Sequence, residues 1–284
     1  MHIRKALAGG VLALLCACGS GTEQPPQSVV QAEPTAPPEA AVAHWRPTAA
    51  ATWQLQLSGT IRTTYPATVY DIDMFDTSGE TLALLRGAGK RVVCYFSAGS
   101  AEDWRIDHAR FLPADLGAPL EGWPGERWVD TRSANVRNVM KARLDLAAQR
   151  GCDAVDPDNV DGHTHNTGFA LSADHQRDYN RFLASEAHAR GLAIGLKNTI
   201  DLLDVLEPYF DFAVNEQCFQ YHECDGYRVF IASNKPVFNV EYAANFRDNA
   251  AGARDTLCAS ARAAGLRTLV LPLALDDSFR YPCD

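Results

Sequence analysis

Short apolar runs alternate with helical patterns along the chain from Trp53 onward. The runs are nearly continuous rather than alternating between apolar and polar residues, which is typical of strands buried on both faces of a parallel sheet. Eight runs fit this description: residues 53–57, 68–72, 91–96, 153–155, 192–196, 210–214, 236–240 and 268–275.

Apolar residues at helical spacing lie between most of these runs. They predict helices over residues 79–88, 135–149, 172–190, 201–206, 227–232 and 248–264. Eight strands alternating with helices predict an α/β fold of the (β/α)8 TIM-barrel type. The first connection is too short for a helix, and no helix is predicted after the eighth strand. A doubly wound open sheet is the alternative, weakened because no glycine-rich phosphate loop follows the first run.

The chain begins with two basic residues and an apolar stretch, residues 6–15, which is typical of a secretory signal peptide. The following Leu15-Cys-Ala-Cys18 resembles the lipoprotein box of bacteria. We therefore expect residues 1–17 to be removed and Cys18 to carry a lipid. Ordinary secretion with cleavage nearby is the alternative.

Residues 18–47 are rich in proline, glutamine, alanine and threonine. Such a segment buries little apolar surface, so we expect a disordered tether, with the folded domain over residues 48–284. No apolar run is long enough to span a bilayer. We therefore expect the protein to be an exported lipoprotein in the periplasm or at the cell surface, held at the membrane by its lipid alone.

The chain has a formal net charge of -9 at pH 7, and 46% of its residues are hydrophobic, enough for a sizeable core. Removal of Arg4 and Lys5 with the signal peptide makes the mature chain more acidic still. This balance argues against nucleic acid as a partner and suits a cationic substrate.

Six cysteines follow Cys18, an even number that in an exported chain predicts disulfides. Two pairs are expected from position: Cys218 with Cys224 on one loop, and Cys258 in the last helix with Cys283 in the tail. The remaining cysteines, at positions 94 and 152, are either a third bridge or two buried thiols. A zinc site is disfavoured because the 218–224 spacing is wide and no second pair lies nearby.

Polar residues cluster at the ends of the predicted strands, where barrel enzymes carry their chemistry. They are Asp71, Asp73, Ser97, Ser100, Asp156, Asp158, Lys197, Asn198, Asn215, Glu216, Glu241 and Asp276. Glycoside hydrolysis needs two carboxyl groups flanking one bond. Asp158 and Glu216 end the fourth and sixth strands, and side chains from alternate strands face the same central space. These two residues are therefore the candidate pair.

Aromatic side chains are the natural platforms for sugar rings, although each is also a candidate for the core. The candidates are Trp104, Trp123, Trp128, Tyr70 and Tyr242.

A metal site in the acidic stretch 154–162 is less well supported than the carboxylate pair. Its aspartate spacing departs from a calcium loop, and no glutamate closes one. His163 and His165 follow it, but loop histidines are more often solvated than ligating. We expect neither a metal nor a cofactor.

Four blocks of the chain, in the correct order, resemble the endo-α-1,4-polygalactosaminidases of glycoside hydrolase family 114. They are Cys94-Tyr-Phe-Ser-Ala-Gly-Ser100 with Glu102, Trp104 and Arg105; Val155-Asp-Pro-Asp-Asn-Val-Asp161; Gly195-Leu-Lys-Asn198; and Asn215-Glu-Gln-Cys218. The resemblance weakens after Tyr242.

The resemblance implies a (β/α)8 barrel that cleaves α-1,4-linked galactosamine polymers such as galactosaminogalactan, with Asp158 and Glu216 as the catalytic pair. Asp156 or Asp161 is the alternative to Asp158. A deacetylated polymer of this kind is cationic, as the acidic chain would favour. We expect a monomer. The candidate substrate-binding residues are Asp71, Asp73, Ser97, Asp156, Asp161, Lys197, Asn198, Glu241, Trp104 and Tyr242.

Two other functions fit the same residues. One is a polysaccharide-binding lipoprotein with little turnover, and the other is a barrel glycosidase with a different glycan substrate.

Overall fold

The computed structural model describes residues 43–284. The predicted signal peptide, the predicted lipidation site at Cys18 and most of the predicted linker lie outside the described residues. None of the described helices is both long and apolar enough to cross a bilayer.

The described residues form two sheets. Their strands are β1 Trp53–Gln56, β2 Val69–Asp73, β3 Arg91–Ser97, β4 Ser100–Glu102, β5 Leu116–Pro119, β6 Glu126–Val129, β7 Ala154–Asp158, β8 Ala193–Lys197, β9 Phe212–Glu216, β10 Val237–Glu241, β11 Arg267–Val270 and β12 Tyr281–Pro282. The larger sheet has the order β1-β2-β3-β7-β8-β9-β10-β11-β12, and only β12 runs antiparallel. Its eight parallel strands follow chain order, which confirms the predicted (β/α)8 barrel.

Helices cover the outside of this sheet. They are α1 Gly79–Gly87, α2 Ala134–Arg150, α3 Ala173–Ala189, α4 Leu203–Leu206, α5 Cys218–Tyr221, α6 Arg228–Ala232, α7 Ala244–Arg247 and α8 Ala253–Ala264. Ser172 caps α3 by accepting a hydrogen bond from the backbone N–H of His175. The predicted helix 248–264 is shorter than expected because Asn249 and Ala251 adopt positive φ angles, which separate α7 from α8.

The core has two layers because side chains alternate along each strand. One layer includes Trp53, Val93, Phe212 and Phe238, and fills the barrel interior. The other joins the outward faces of the strands to the helices. Its members include Tyr70, Ile72, Phe96, Val139, Leu144, Leu183 and Ile194. This alternation decides which strand-end polar residues face the centre.

Both expected departures from the ideal barrel are present. Residues 57–68, between β1 and β2, contain no helix, and none follows β11. Instead the tail returns as β12, antiparallel to β11, and the Cys258–Cys283 disulfide ties it to α8.

Three disulfides are present in the described chain. Cys218 pairs with Cys224 and Cys258 with Cys283, as their positions predict. Cys94 and Cys152, which the sequence left open, form the third bridge, with Cα atoms 6.0 Å apart. This bridge links β3 to the turn that precedes β7.

The segment between β3 and α2 forms a small antiparallel sheet with the order β4-β6-β5. It begins three residues after β3 ends, so it lies at the carboxyl-terminal end of the barrel. No regular structure was predicted here, because its strands have only three or four residues each.

Contacts with the barrel begin before residue 48. His44 Nε2 lies 2.9 Å from Asp211 Oδ1, and its ring stacks on His188 at 4.3 Å. Arg91 lies over the ring of Trp45 at 5.8 Å. The folded unit therefore includes the last residues of the segment that composition assigns to the linker.

Candidate active site

Three adjacent parallel strands end in charged residues that meet at one point. Asp158 ends β7, Lys197 ends β8 and Glu216 ends β9. Lys197 Nζ lies 3.2 Å from Asp156 Oδ2, 3.6 Å from Asp158 Oδ1 and 3.9 Å from Glu216 Oε2. Both carboxylates therefore face the same ammonium group. The distance between Asp158 Oδ1 and Glu216 Oε2 cannot exceed the sum of their two distances to Lys197 Nζ.

Asp158 is held by several donors. Tyr95 OH donates to its Oδ2 at 2.8 Å, and the backbone N–H of Asn159 donates to Oδ1 at 2.7 Å. Its carbonyl accepts hydrogen bonds from the N–H groups of Ala98 and Gly99 at 2.8 and 3.0 Å. A Cβ atom at Gly99 would lie 1.6 Å from the carbonyl oxygen of Asn159, so only glycine allows this approach.

Glu216 is held from the opposite side. Tyr242, just after β10, donates its hydroxyl to Glu216 Oε1. The side-chain oxygen of Asn198 accepts a hydrogen bond from the backbone N–H of Glu216 at 2.9 Å. The next residues, Gln217 with φ +66° and then Cys218 in its disulfide, turn the chain away from the site.

Lys197 carries the positive charge of this centre. Burial lowers its pKa, but the acidic side chains of Asp156, Asp158, Glu216 and Asp71 raise it well above the ordinary value. The side chain is 3% exposed, and its ammonium group is therefore enclosed by acids.

Asp156 and Asp71 lie beneath the pair. Burial raises the pKa of Asp156 to about 6, although Lys197 opposes the shift. Burial, and then the charge of Asp156, raises the pKa of Asp71 well above its ordinary value. Among residues 43–284, no donor meets either oxygen of Asp71 or Oδ1 of Asp156. A proton on Asp71 shared with Asp156 satisfies both groups.

Burial also raises the pKa of Tyr95 and of Tyr242 well above the usual value, and the adjacent carboxylates Asp158 and Glu216 add to the shift. Both phenols therefore remain protonated and serve as hydrogen-bond donors.

The pair opens into a cleft of about 720 Å³. Its lining includes Tyr95, Glu126, Trp128, Asp158, Asn159, Asp161, His165, Lys197, Asn198 and Glu216, with Trp123 and Glu121 on the loops. The ring of His165 stacks on Trp128, with centroids 5.0 Å apart. Such aromatic walls are suited to sugar rings.

The structure brings seven of the predicted residues to this centre. Asp158, Asp161, Lys197, Asn198 and Glu216 line the cleft, while Asp156 and Tyr242 contact that group directly. Asp71 lies beneath Asp156.

Four predicted substrate-binding residues lie elsewhere. Asp73 accepts from Arg105 at 2.6 Å. Glu241 faces outward and accepts from the backbone N–H of Phe219, at the start of α5. Trp104 is 52% exposed but does not line the cleft. Ser97 is buried and bonds to the hydroxyl of Ser100.

Tyr70, one of the candidate aromatic platforms, is a core residue whose hydroxyl donates to the carbonyl of Tyr65. Two of the other candidates, Trp123 and Trp128, line the cleft.

Sequence reasoning missed Tyr95, Asn159 and Glu126. Tyr95 had a usable signal, because it is two residues after Val93 and therefore shares the inward face of β3. Asn159 had one too, since it directly follows Asp158. No sequence pattern indicated Glu126, because the small sheet that carries it was not predicted.

One group of described residues has the side chains and spacing of a metal site, and it is outside the cleft. His44, His188 and Asp211 offer ligand atoms within 4.8 Å of one another, where Asp211 precedes β9. The loop histidines are otherwise engaged: His163 pairs with Asp201 at 2.7 Å, and His165 with Asp161 at 3.5 Å.

Two carboxylates on either side of a lysine, at the base of an aromatic cleft, can divide acid–base work between them. One can donate a proton to a leaving oxygen while the other attacks or activates water.

Comparison with known proteins agrees with this chemistry. The model of glycoside-hydrolase family GH114 matches residues 34–284. An uncharacterised protein of Deinococcus radiodurans is 28% identical over 288 residues, covering 92% of this chain and 91% of its own.

Among solved structures, Aspergillus fumigatus Ega3 in complex with galactosamine is 42% identical with a TM-score of 0.80, covering 85% of this chain and 98% of its own. The glycoside hydrolase domain of PelA from Pseudomonas aeruginosa has a TM-score of 0.63 at 15% identity, covering 80% and 96%. At that identity, the likeness to PelA concerns the fold alone.

Proposed function

The chain belongs to glycoside-hydrolase family GH114 and is a glycoside hydrolase, and from that premise we propose that it cleaves α-1,4-galactosaminidic bonds in a cationic amino-sugar polysaccharide. Galactosamine is the molecule in the complex of the 42% identical Ega3. The cleft supports the same choice, because its single lysine is enclosed by carboxylates and its remaining charged groups are mainly acidic. A polymer with free amino groups complements that charge.

The observation that carries the mechanism is the placement of Asp158 and Glu216 around Lys197 at three adjacent strand ends. Asp158 accepts hydrogen bonds from Tyr95 and from a backbone N–H, which suits a carboxylate that acts as nucleophile or base. Glu216 accepts one from Tyr242 and is 26% exposed, which suits a group that exchanges its proton with the leaving oxygen.

The test is release of reducing ends from α-1,4-linked galactosamine polymer by the folded domain. We expect Asp158→Asn and Glu216→Gln each to lower kcat by about 10²–10⁴-fold, the range of general acid–base catalysis. Asp156→Asn and Asp161→Asn test the alternatives to Asp158. Asp225→Asn is the matched control, because that carboxylate is 83% exposed and pairs with the exposed Arg228. Full activity in both Asp158→Asn and Glu216→Gln would exclude this mechanism.

We further propose that the protein is exported and lipid-anchored through Cys18. Three disulfides in the described domain support export, since such bonds persist in oxidising compartments. Labelled fatty acid fed to producing cells should appear in the wild-type protein and not in Cys18→Ala. Equal labelling of the two would refute the anchor at Cys18.

A further inference from the structure

Glu126 is a second acid in the cleft, separate from the proposed catalytic pair. It begins β6 of the small sheet and lines the same cleft as Asp158. The residue is 8% exposed. Its cross-strand partner on β4 is Glu102, so two acids stand opposite each other, an arrangement that destabilises a sheet unless something compensates.

Among the described residues, a cation offsets the charge of Glu102 but not that of Glu126. Glu102 pairs with Arg105 at 2.8 Å. Within residues 43–284, no lysine, arginine or histidine nitrogen lies within 4.0 Å of the Glu126 carboxylate. Its Oε2 accepts a hydrogen bond from Ser100 at 2.7 Å, while Oε1 accepts none from the described residues. Because Glu126 lines the cleft, Oε1 is available to a bound molecule.

A chain of hydrogen bonds is directed at this carboxylate. Asn159 Nδ2 donates to Ser97 Oγ at 2.9 Å, and Ser97 Oγ lies 2.6 Å from Ser100 Oγ. Ser100 has one hydroxyl hydrogen, and it points to Glu126, so the hydrogen between the two serines belongs to Ser97. Every donor thus points towards Glu126, which is the polarity that stabilises a charged carboxylate.

The same chain ends beside the proposed nucleophile or base, since Asn159 donates its backbone N–H to Asp158. Burial, with the charges of Glu102 and Asp158 added, raises the pKa of Glu126 to about 7, against the effect of Ser100 and Arg105. Glu126 is therefore a buried acid. The hydrogen-bond donors directed at it stabilise a negative charge, and no cation among the described residues pairs with it.

We propose that Glu126 binds the protonated 2-amino group of a galactosamine unit next to the bond that is cleaved. This inference rests on the proposed function and adds the residue that selects free amines over acetylated ones. An ammonium group donates to Oε1 and neutralises the excess of acid beside Asp158. An N-acetyl group is neutral and larger, so its single N–H lacks the charge attraction that an ammonium group has to the carboxylate.

The test compares fully deacetylated with fully N-acetylated α-1,4-linked galactosamine oligosaccharides. For Glu126→Gln we expect KM on the deacetylated substrate to rise about tenfold or more, the effect of losing one charge-assisted hydrogen bond, with little change in kcat. KM on the acetylated substrate should stay within about twofold. The Ser100 hydroxyl can still donate to the amide oxygen, so the variant retains the internal contact.

Glu80→Gln is the control, because it removes an equal charge from an exposed position in the first turn of α1, outside the cleft. Its effect on the deacetylated substrate should stay within about twofold, as for an exposed charge. Glu126→Asp, which keeps the charge, should retain the preference for the deacetylated substrate, even if the glutamine variant folds poorly.

Two results would overturn the inference: equal effects of Glu126→Gln on both substrates, or no effect on either. If the wild type cleaves neither, the proposed function fails, and Glu126 is then judged by calorimetric binding of the deacetylated oligosaccharide. Weaker binding by Glu126→Gln than by Glu80→Gln supports the amine site, and equal binding refutes it.

Discussion

Lys197 balances the charge at the base of the cleft. Four acidic side chains surround its ammonium group, and that group is buried. Taking charges out of water is costly, so the centre is stable only while lysine and acids stay together. The same lysine sets the spacing of Asp158 and Glu216, because each faces it from a neighbouring strand. Stability and geometry thus depend on one side chain.

Replacing Lys197 with methionine tests that dependence. The variant leaves the buried Asp156 and the half-buried Asp158 beside Asp71 without a cation, and breaking a buried pair costs about 3–5 kcal/mol. We expect that loss in the free energy of unfolding from urea titration, together with loss of hydrolysis. Lys141→Met is the control, since its bridge to Glu186 is partly exposed and is worth about 0–1 kcal/mol. Similar losses from the two variants would contradict this account.

Glu241 offers a pH test at the same scale. Burial raises its pKa to about 7 from 4.5. The folded state then holds this proton more tightly than the unfolded state, so stability falls as pH rises between those two values. Glu241→Gln keeps an acceptor for the Phe219 N–H and removes the ionisation. From pH 4 to pH 8, the stability of the variant relative to wild type should rise by up to about 3 kcal/mol. A difference that does not change with pH would argue against a buried acid.

The sequence predicted the catalytic candidates better than their neighbours for a physical reason. Asp158 and Glu216 are the last residues of β7 and β9, and an inward side chain there reaches the cleft. Glu241 also ends a strand, but it follows the inward-facing Val240 and therefore points outward. The sequence does not show which residue at a strand end points into the barrel. Inward-facing and outward-facing acids could therefore not be distinguished.

At the scale of elements, the site depends on a close crossing between two loops. The turn after β3 lies against the turn after β7, where Ala98 and Gly99 donate to the carbonyl of Asp158. Near-continuous apolar runs made the eight barrel strands predictable, because parallel strands are buried on both faces. The small sheet had no such pattern. Its strands are short and partly exposed, and their pairing depends on contacts distant in sequence.

Gly99→Ala should disturb that crossing. The added methyl would lie 1.6 Å from the Asn159 carbonyl oxygen, so one of the two turns must shift and carry Asp158 with it. We expect overpacking to cost about 1–3 kcal/mol of stability and kcat to fall more than that loss of folded protein explains. Gly87→Ala at the end of α1 meets no atom within 4 Å and should be nearly neutral in both assays. Unchanged kcat in Gly99→Ala would show that the crossing does not position Asp158.

At the scale of the molecule, chain closure depends on contacts at both termini of the described domain. His44 reaches Asp211 across 167 positions of the chain, and the tail is tied to α8 in place of a final helix. The expectation of a missing last helix came from the sequence, and so did the Cys258–Cys283 bridge. The contact of His44 did not, because a histidine in a proline-rich segment gives no local signal of a partner so distant in sequence.

The disulfide whose loss lowers stability most should differ from the one whose loss lowers activity most. In the chain-entropy model a bridge stabilises more when it closes a longer loop. Sequence separations of 58, 25 and 6 residues then give about 4, 3.5 and 2 kcal/mol for Cys94–Cys152, Cys258–Cys283 and Cys218–Cys224. Paired alanine variants in urea titrations should follow that order. Hydrolysis should instead fall most in the 218–224 variant, because Cys218 is two residues after Glu216 and its bridge fixes the loop behind that carboxylate. Matching orders in the two assays would mean that this bridge acts only on global stability.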